Sequence, residues 1–276
     1  MNKTVLITGA SSGFGKLAAK NFQRAGWNVI GTMRNPSKEQ ELNQLDNVYL
    51  VAMDVRKRES VRAAIEKGIE RFGRIDVLVN NAGFGMVGYI EEASDEEIDI
   101  QMETNFYGVV YNVQEVLPYM RKQGGGVIIN ITSLAGTVPI PFHSLYNASK
   151  FAVEGFSHSI SYELEQFGID VKTIAPGAFK TNFGNNAKLH KGNSKTDLKL
   201  FTERFEKRME EIYAEPPKPF GYGDPQVVAD LIFKSATEKT KNKLPVGKDA
   251  KLTLKMRKLL PESKMRKMFK DAFIPK

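Results

Sequence analysis

Short runs rich in Val, Ile and Leu alternate along this chain with longer stretches of helical period, and that alternation narrows the fold more than any other feature. Residues 4–8, 28–33, 48–53, 75–80, 127–132 and 170–175 read as strands. The strongest of them are apolar at nearly every position, the pattern of parallel strands covered on both faces. Segments 15–24, 59–72, 96–121 and 146–166 carry a helical period, with Val61, Ile65 and Ile69 forming one stripe in the second. A strand–helix unit repeated this often predicts an α/β chain built on one doubly wound parallel sheet.

The rhythm breaks after Pro176-Gly177. Residues 178–222 hold a polar stretch, Asn185-Asn186-Ala187-Lys188, then a helical stripe of Leu198, Phe201, Phe205, Met209 and Ile212, then a Pro/Gly-rich exit. Excursions this long in a compact domain are usually functional covers, so a helical lid over a site is expected here, not a second domain. Asp224-Pro225 predicts an N-cap with proline at the first helical position, and a last strand is expected near 244–246. One domain therefore spans 1–250. Residues 251–276 form a basic helical extension broken at Pro261, with Leu252, Met256 and Leu259 on one face and Met265, Met268 and Phe269 on another.

Composition excludes several chemistries. Among 276 residues there is no cysteine, and the three histidines (His143, His158, His190) include no i,i+4 pair. Disulfide scaffolds, thiolate nucleophiles and Cys- or His-built metal sites are thereby set aside, and no metal is expected. The net charge of +8 belongs to the tail: residues 241–276 hold 12 Lys/Arg against 3 Asp/Glu, the preceding 240 hold 28 against 29. Without aromatic residues interleaved among those charges, nucleic-acid binding is not expected. No apolar run approaches the roughly 18 residues of a membrane span, and the Val5-Leu6-Ile7 run is too short for a signal segment. A cytoplasmic location is the default reading.

Three places carry chemistry. The first strand ends in Thr8-Gly9-Ala10-Ser11-Ser12-Gly13-Phe14-Gly15 and opens a helix, where glycines let backbone N–H groups approach a pyrophosphate at the positive end of the helix dipole. Asn80-Asn81-Ala82-Gly83 closes the fourth strand. Ser133 follows the fifth, and Tyr146 and Lys150 stand i,i+4 on the next helix, on one face. A free tyrosine titrates near pH ~10, and a cation held close lowers that by roughly 1–3 units. Such a pair suits acid–base work beside Ser133, whose hydroxyl can donate to a substrate oxygen as charge develops.

Taken together, these motifs resemble the short-chain dehydrogenase/reductase family over nearly the whole chain. The glycine turn, Asn80-Asn81-Ala82-Gly83, the Ser133 to Tyr146 spacing, the Tyr146/Lys150 pair and Pro176-Gly177 with Thr181 after it fall in family order. The resemblance implies a single Rossmann-type domain with a mostly parallel seven-stranded sheet and NAD(P)-dependent interconversion of carbonyl and alcohol. It implies Tyr146 as general acid or base. Lys150 lowers the tyrosine's pKa and binds the nicotinamide ribose, Ser133 orients the substrate oxygen, and Asn105 holds a water linking the lysine to solvent. It further implies cofactor contacts from Gly9, Ser11, Ser12, Gly13, Phe14, Gly15, Asn81, Ala82, Gly83, Pro176, Gly177 and Phe179, from Thr181, and from Asp54 and Val55 at the adenine. Asp54 also reads as a helix N-cap.

NAD enzymes of this architecture place an acid after the second strand for the ribose 2′-OH. Here that stretch is Met33-Arg34-Asn35-Pro36, with no carboxylate before Glu39. Arg34 offers a planar fork for a 2′-phosphate, so NADP(H) is favoured over NAD(H), although Ser12 stands where the family's other basic NADP marker falls. Phe84, Met86, Leu134, Phe142 and Phe183 are the expected pocket walls, with His143 read as a solvated loop residue. They point to a hydrophobic ketone or aldehyde as substrate, reduced to the alcohol. The segment 244–250 looks like the branch that includes steroid and retinol dehydrogenases. An NAD-linked alcohol or hydroxysteroid dehydrogenase working oxidatively is the runner-up, and a non-catalytic dinucleotide-binding protein the third reading. A homodimer or homotetramer is expected. For the basic tail three readings stand open: an apolar side packed on the body, a subunit contact, or a weak peripheral membrane contact.

Overall fold

The structure, a computed structural model, describes residues 2–181, 188–189, 199–214 and 221–274. Phe183 and Leu198 lie outside them. The expected strands form almost residue for residue: β1 (Thr4–Thr8), β2 (Asn28–Met33), β3 (Val48–Ala52), β4 (Val77–Asn80), β6 (Gly126–Ile131), β7 (Ile169–Pro176) and β9 (Lys243–Val246) make one seven-stranded sheet. Its order is β3-β2-β1-β4-β6-β7-β9, and every pairing is parallel. Two short strands, β5 (Met86–Val87) and β8 (Lys188–Leu189), pair apart from it.

Parallel strands need crossovers, and the crossovers bury both faces of the sheet. Along β1, Val5 and Ile7 enter one apolar layer with α1 (Gly13–Arg24) and α7 (Pro225–Thr237), while Leu6 enters the other with α2 (Arg58–Phe72), α4 (Gly108–Lys122) and α5 (Ser144–Leu164). The expected cap of α7 is present, Asp224 accepting from the Gln226 N–H at 2.9 Å. The long helix expected over 96–121 is α3 (Asp95–Met102) joined to α4 by a π turn, Glu103–Tyr107. Such turns arise where one extra residue is fitted into a helix, frequently at functional sites.

The sheet runs outward from β1 to β3 and then restarts at β4 on the other side of β1. At that reversal the crossovers leave in opposite directions, and a crevice opens beyond the carboxyl ends of β1 and β4.

Two smaller clusters lie over this end. In α6 (Lys199–Ala214), Phe205, Met209 and Ile212 bury against Val87, Tyr89, Phe142 and Phe273. Phe201, assigned to the same stripe from sequence, is 53% exposed, because the docking face is narrower than the apolar one. The tail folds into α8 (Lys248–Leu259) and α9 (Glu262–Phe273), separated at Pro261. Met265 is buried and Phe269 packs beside Leu134, Val138, Ala250 and Leu254, so the expected α9 face holds. The expected face of α8 does not. Leu252 and Leu259 are 40% and 71% exposed, and the helix turns Ala250 and Thr253 inward instead. Both are small, which lets the α8 backbone approach the body closely.

Phe22 is fully buried at the centre of the first layer, edge-on to Trp27 and Phe233 with ring centroids 5.1 Å away in each case. Replacing it by Ala should cost about 3–5 kcal/mol, read as a lower urea midpoint at unchanged slope. A cost below about 1 kcal/mol would contradict this packing.

Candidate active site

Two turns meet at the reversal of the sheet. The chain leaves β1 through Gly9, whose φ of +68° lies in the left-handed region. A Cβ there would stand 2.9 Å from the Ala82 Cα, so the turn accepts only glycine. Gly15 is as tightly held, a Cβ falling 2.5 Å from both the Gly9 carbonyl and Asn81 Nδ2. Side chains bond one turn to the other. Asn81 Nδ2 donates to the carbonyls of Thr8 and Gly9 at 2.9 and 3.1 Å. Thr8 Oγ1 accepts the N–H groups of Asn81 and Ala82 at 3.0 and 2.9 Å. Asn81 and Ala82, expected as cofactor contacts, are thus supports of the glycine turn as well. Sequence reasoning passes over Thr8, whose only signal is its place directly before Gly9.

Helix α1 opens from this turn with Ser12 as an extended N-cap that makes no side-chain bond, and its first turn holds no acid. Its leading N–H groups keep the positive end of the dipole uncompensated, as an anion needs. A Cβ on Gly13 would meet nothing closer than Thr181, at 3.7 Å. Ser11 is exposed beside it. Phe14 meets Phe179 edge-on, centroids 5.7 Å apart. Beyond β7, the Gly177 N–H donates to Val246 at 2.9 Å, and the Ala178 N–H to Asp249 Oδ2 at 2.6 Å. A Cβ on Gly177 would strike that carboxylate. Asp249 was not singled out from sequence, since nothing in its spacing links it to Gly177.

Arg34 is exposed at the end of β2. Glu39, the first carboxylate after it, is buried and committed to Lys16 at 2.9 Å and to the N–H groups of Glu41 and Leu42, each at 3.0 Å. Asp54 lies after β3, but not as a helix cap: α2 is entered from Lys57, and the Asp54 carboxylate takes Arg56 Nη2 at 2.7 Å and the Arg56 N–H at 3.1 Å. The Arg56 hydrogen bond is the first cause holding Asp54 below its usual range. Val55 is buried against Gly108.

Ser133, Tyr146, Lys150 and Asn105 converge on the same end of the sheet. The Tyr146 hydroxyl shares a hydrogen bond with Ser133. Lys150 Nζ lies 5.9 Å from the Tyr146 ring centroid and donates to the Ile131 carbonyl at 2.9 Å. Asn105, inside the π turn, faces them across Gly83, where a Cβ would stand 3.2 Å from Asn105 Oδ1 and 3.6 Å from Lys150 Nζ. The Asn105 amide donates to the Phe84 carbonyl at 2.9 Å and Ser149 Oγ at 3.1 Å, and its oxygen accepts the Phe84 N–H at 3.1 Å. One turn earlier, the fully buried Gln101 accepts the Met86 N–H at 2.8 Å and donates to Phe84 at 3.0 Å. These two amides fix the chain from Phe84 to Met86. Gln101 was missed because a buried glutamine has no sequence signature.

Burial governs the protons. It pushes the Tyr146 hydroxyl up to about 12, against the opposing pull of the Ser133 bond. It also brings the Lys150 ammonium down to about 8, with Glu154 pulling the other way. The lowering of the tyrosine expected from i,i+4 spacing does not appear in the site without cofactor: loss of solvent around the phenol outweighs the Ser133 bond.

Of the expected pocket walls, Met86 and Leu134 are buried and Phe142 stacks against Phe205 with centroids 4.3 Å apart. His143, expected as a solvated loop residue, is a half-buried N-cap of α5. Its Nδ1 lies 2.7 Å from the Pro141 carbonyl, its ring is 6.4 Å from Tyr146 and 6.2 Å from Phe273, and burial lowers its pKa.

Lys150 yields a signed prediction. A lysine at about 8 in the fold and near ~10.4 when unfolded binds more protons in the unfolded chain between those values, so stability rises with pH across that window. Each unit of depression is worth about 1.4 kcal/mol. Urea unfolding at pH 7.5 and 9.5 should show that rise in the native chain and lose most of it in Lys150→Met. Equal pH dependence in both proteins would place the buried charge elsewhere.

Similarity to known proteins agrees with this geometry. Residues 3–192 match the family model described as short chain dehydrogenase. The chain is 39% identical over 273 residues to an uncharacterized oxidoreductase, YusZ, of Bacillus subtilis (strain 168), covering 95% of this chain and 96% of that protein. It is 48% identical over 182 residues, 66% of each chain, to a 3-ketodihydrosphingosine reductase of Bacteroides thetaiotaomicron. Among solved structures, a short-chain dehydrogenase from Streptomyces avermitilis superposes with a TM-score of 0.80 at 31% identity, over 98% of this chain and 96% of that one. With a seven-stranded parallel sheet, a glycine turn at its reversal and matches of this extent, the chain belongs to the short-chain dehydrogenase/reductase family of NAD(P)-dependent oxidoreductases.

Proposed function

We propose that this chain is an NADPH-dependent carbonyl reductase acting on hydrophobic ketones or aldehydes. One observation carries the reading: a buried tyrosine bonded to Ser133 and flanked by Lys150, set beside a glycine turn and an uncompensated helix N-terminus. The reduced nicotinamide, when bound, supplies the hydride that adds to the carbonyl carbon. Ser133 donates a hydrogen bond to the carbonyl oxygen, and Tyr146 gives that oxygen its proton as negative charge develops. The phenol is protonated at neutral pH, the state in which it can give up a proton in reduction. Lys150, brought to about 8, sits close enough to neutrality to return a proton to the tyrosine. Asn105 holds the π turn beside Lys150 and the chain from Phe84 to Met86 in place.

The cofactor's fit rests on this chain's own groups. The N-terminus of α1 with Ser11, Ser12, Gly13 and Phe14 suits the pyrophosphate. Thr181, which faces Gly13, would with Pro176, Gly177 and Phe179 hold the nicotinamide end, and Val55 would lie at the adenine. Arg34 suits a 2′-phosphate, a choice supported by the commitment of Glu39 to Lys16, which leaves no free acid for a ribose hydroxyl. The apolar contacts of α6 and α9 with Phe142, Tyr89 and Leu134 support a bulky apolar substrate, with α6 as its lid. Resemblance to a 3-ketodihydrosphingosine reductase supports a lipid-like ketone.

NADPH oxidation over a panel of long-chain and cyclic ketones should reveal turnover that Tyr146→Phe reduces by about 10²–10⁴-fold; full activity in that variant would reject the mechanism. Separately, Arg34→Asp should raise KM for NADPH far more than for NADH. An equal effect on both would reject the 2′-phosphate assignment.

A further inference from the structure

Among the buried acids that the mechanism leaves unused is Glu154. It is 5% exposed on α5, one turn beyond Lys150, yet it touches neither the glycine turn nor Tyr146 in any contact described above. Its two oxygens are spoken for on different sides. Thr132 Oγ1, on the residue directly before Ser133, donates to Oε1 at 2.6 Å. Thr173 Oγ1, from β7, reaches Oε2 at 3.4 Å. Lys243 Nζ, from β9, forms an ion pair with Oε2 at 3.0 Å, and His158 Nε2, one turn further along α5, lies 3.4 Å from it.

We propose, resting on the reductase reading, that Glu154 is a positioning residue for the site: it anchors the segment leading into Ser133 through Thr132 and sets a counter-charge one helical turn from the buried Lys150 ammonium, with Lys243 setting how much of that charge Lys150 feels. The geometry argues for it in two ways. An acid placed only for packing would not need to be ionic in so enclosed a position, where an unpaired charge is costly and even a paired one gains little over an apolar side chain. The partners also differ in exposure. Lys150 is 6% exposed, so its interaction with Glu154 is weakly screened, whereas the Lys243 side chain is 32% exposed and meets water. Glu154 is thus shared between an interior cation and a half-solvated one. The charged and titratable groups facing it are Lys150 and His158 from its own helix and Lys243 from β9, with the hydroxyls of Thr132 and Thr173 from β6 and β7. The upward pull of Glu154 on Lys150 runs in the same direction.

Two substitutions push the balance in opposite directions. Glu154→Gln keeps the shape and the acceptor for Thr132 but removes the charge. Lys243→Met leaves Glu154 to act on Lys150 alone. Both are made in a His158→Gln background, which removes a neighbour of a residue type that titrates near neutrality. The readout is the Lys150 Nζ titration followed by NMR of lysine-labelled protein without cofactor, assigned by its loss in Lys150→Met. The pH profile of kcat is the second readout. Glu154→Gln should lower the Lys150 midpoint by about half a unit or more, and Lys243→Met should raise it. The high-pH limb of kcat should move with each. Midpoints that stay fixed, or move the same way in both variants, would overturn the proposal and leave Glu154 a packing residue. If Glu154→Gln does not fold, Lys243→Met decides alone. Wild-type protein lacking turnover on every carbonyl while both midpoints shift would reject the reductase reading and leave the charge coupling standing.

Discussion

Everything at the functional end of this molecule hangs on a reciprocal set of hydrogen bonds between two turns. Once the chain leaves β1 and β4 at the sheet's reversal, its backbone groups lose their ladder partners, and buried orphans of that kind are costly. Asn81 and Thr8 settle both turns at once, each serving the backbone of the other. The geometry this enforces is so close that Gly9 and Gly15 leave no room for a Cβ. The consequence is functional: α1 must start at the crevice with its N–H groups facing outward. The anion site proposed there follows from how the backbone is satisfied.

The second constraint is enclosure. Tyr146 and Lys150 are packed where water cannot stabilise a charge, so both are held toward their neutral forms, the phenol by keeping its proton and the ammonium by giving one up more readily. This inverts the simplest view of a Tyr-Lys pair, in which the cation makes the phenol acidic. In the site without cofactor the phenol therefore keeps its proton well above neutral pH, and it is the oxidised, cationic nicotinamide that would draw it back toward the acidity that acid–base work needs. The cost is a lysine close to losing its charge, and the buried Glu154, one helical turn away, is the carboxylate proposed to resist that.

Much of this was legible in the sequence because it is written in periods and spacings. Continuous apolar runs gave β1, β2 and β7 because parallel central strands have no wet side. The Tyr146/Lys150 spacing gave a shared helix face because helical geometry allows nothing else. What the sequence hid are effects of three-dimensional enclosure. The inward face of α8 could not be read, since the largest apolar residues, Leu252 and Leu259, point outward while Ala250 packs closely. The tyrosine's proton affinity could not be read either, for i,i+4 spacing measures distance to a cation and says nothing of lost solvent. Gln101, Thr8 and Asp249 act through backbone groups far away in sequence, and no local pattern announces such partners.

Ultraviolet titration of the phenolate, taken as the difference between the native chain and Tyr146→Phe, tests the central claim most directly. Measured without cofactor and again with saturating NADP+, it should show Tyr146 protonated to near pH 12 in the first case and ionising distinctly lower in the second, where a cationic ring is added to the enclosed site. A phenol that ionises near the ordinary value of about 10 without cofactor, or one that NADP+ leaves unmoved, would contradict the account.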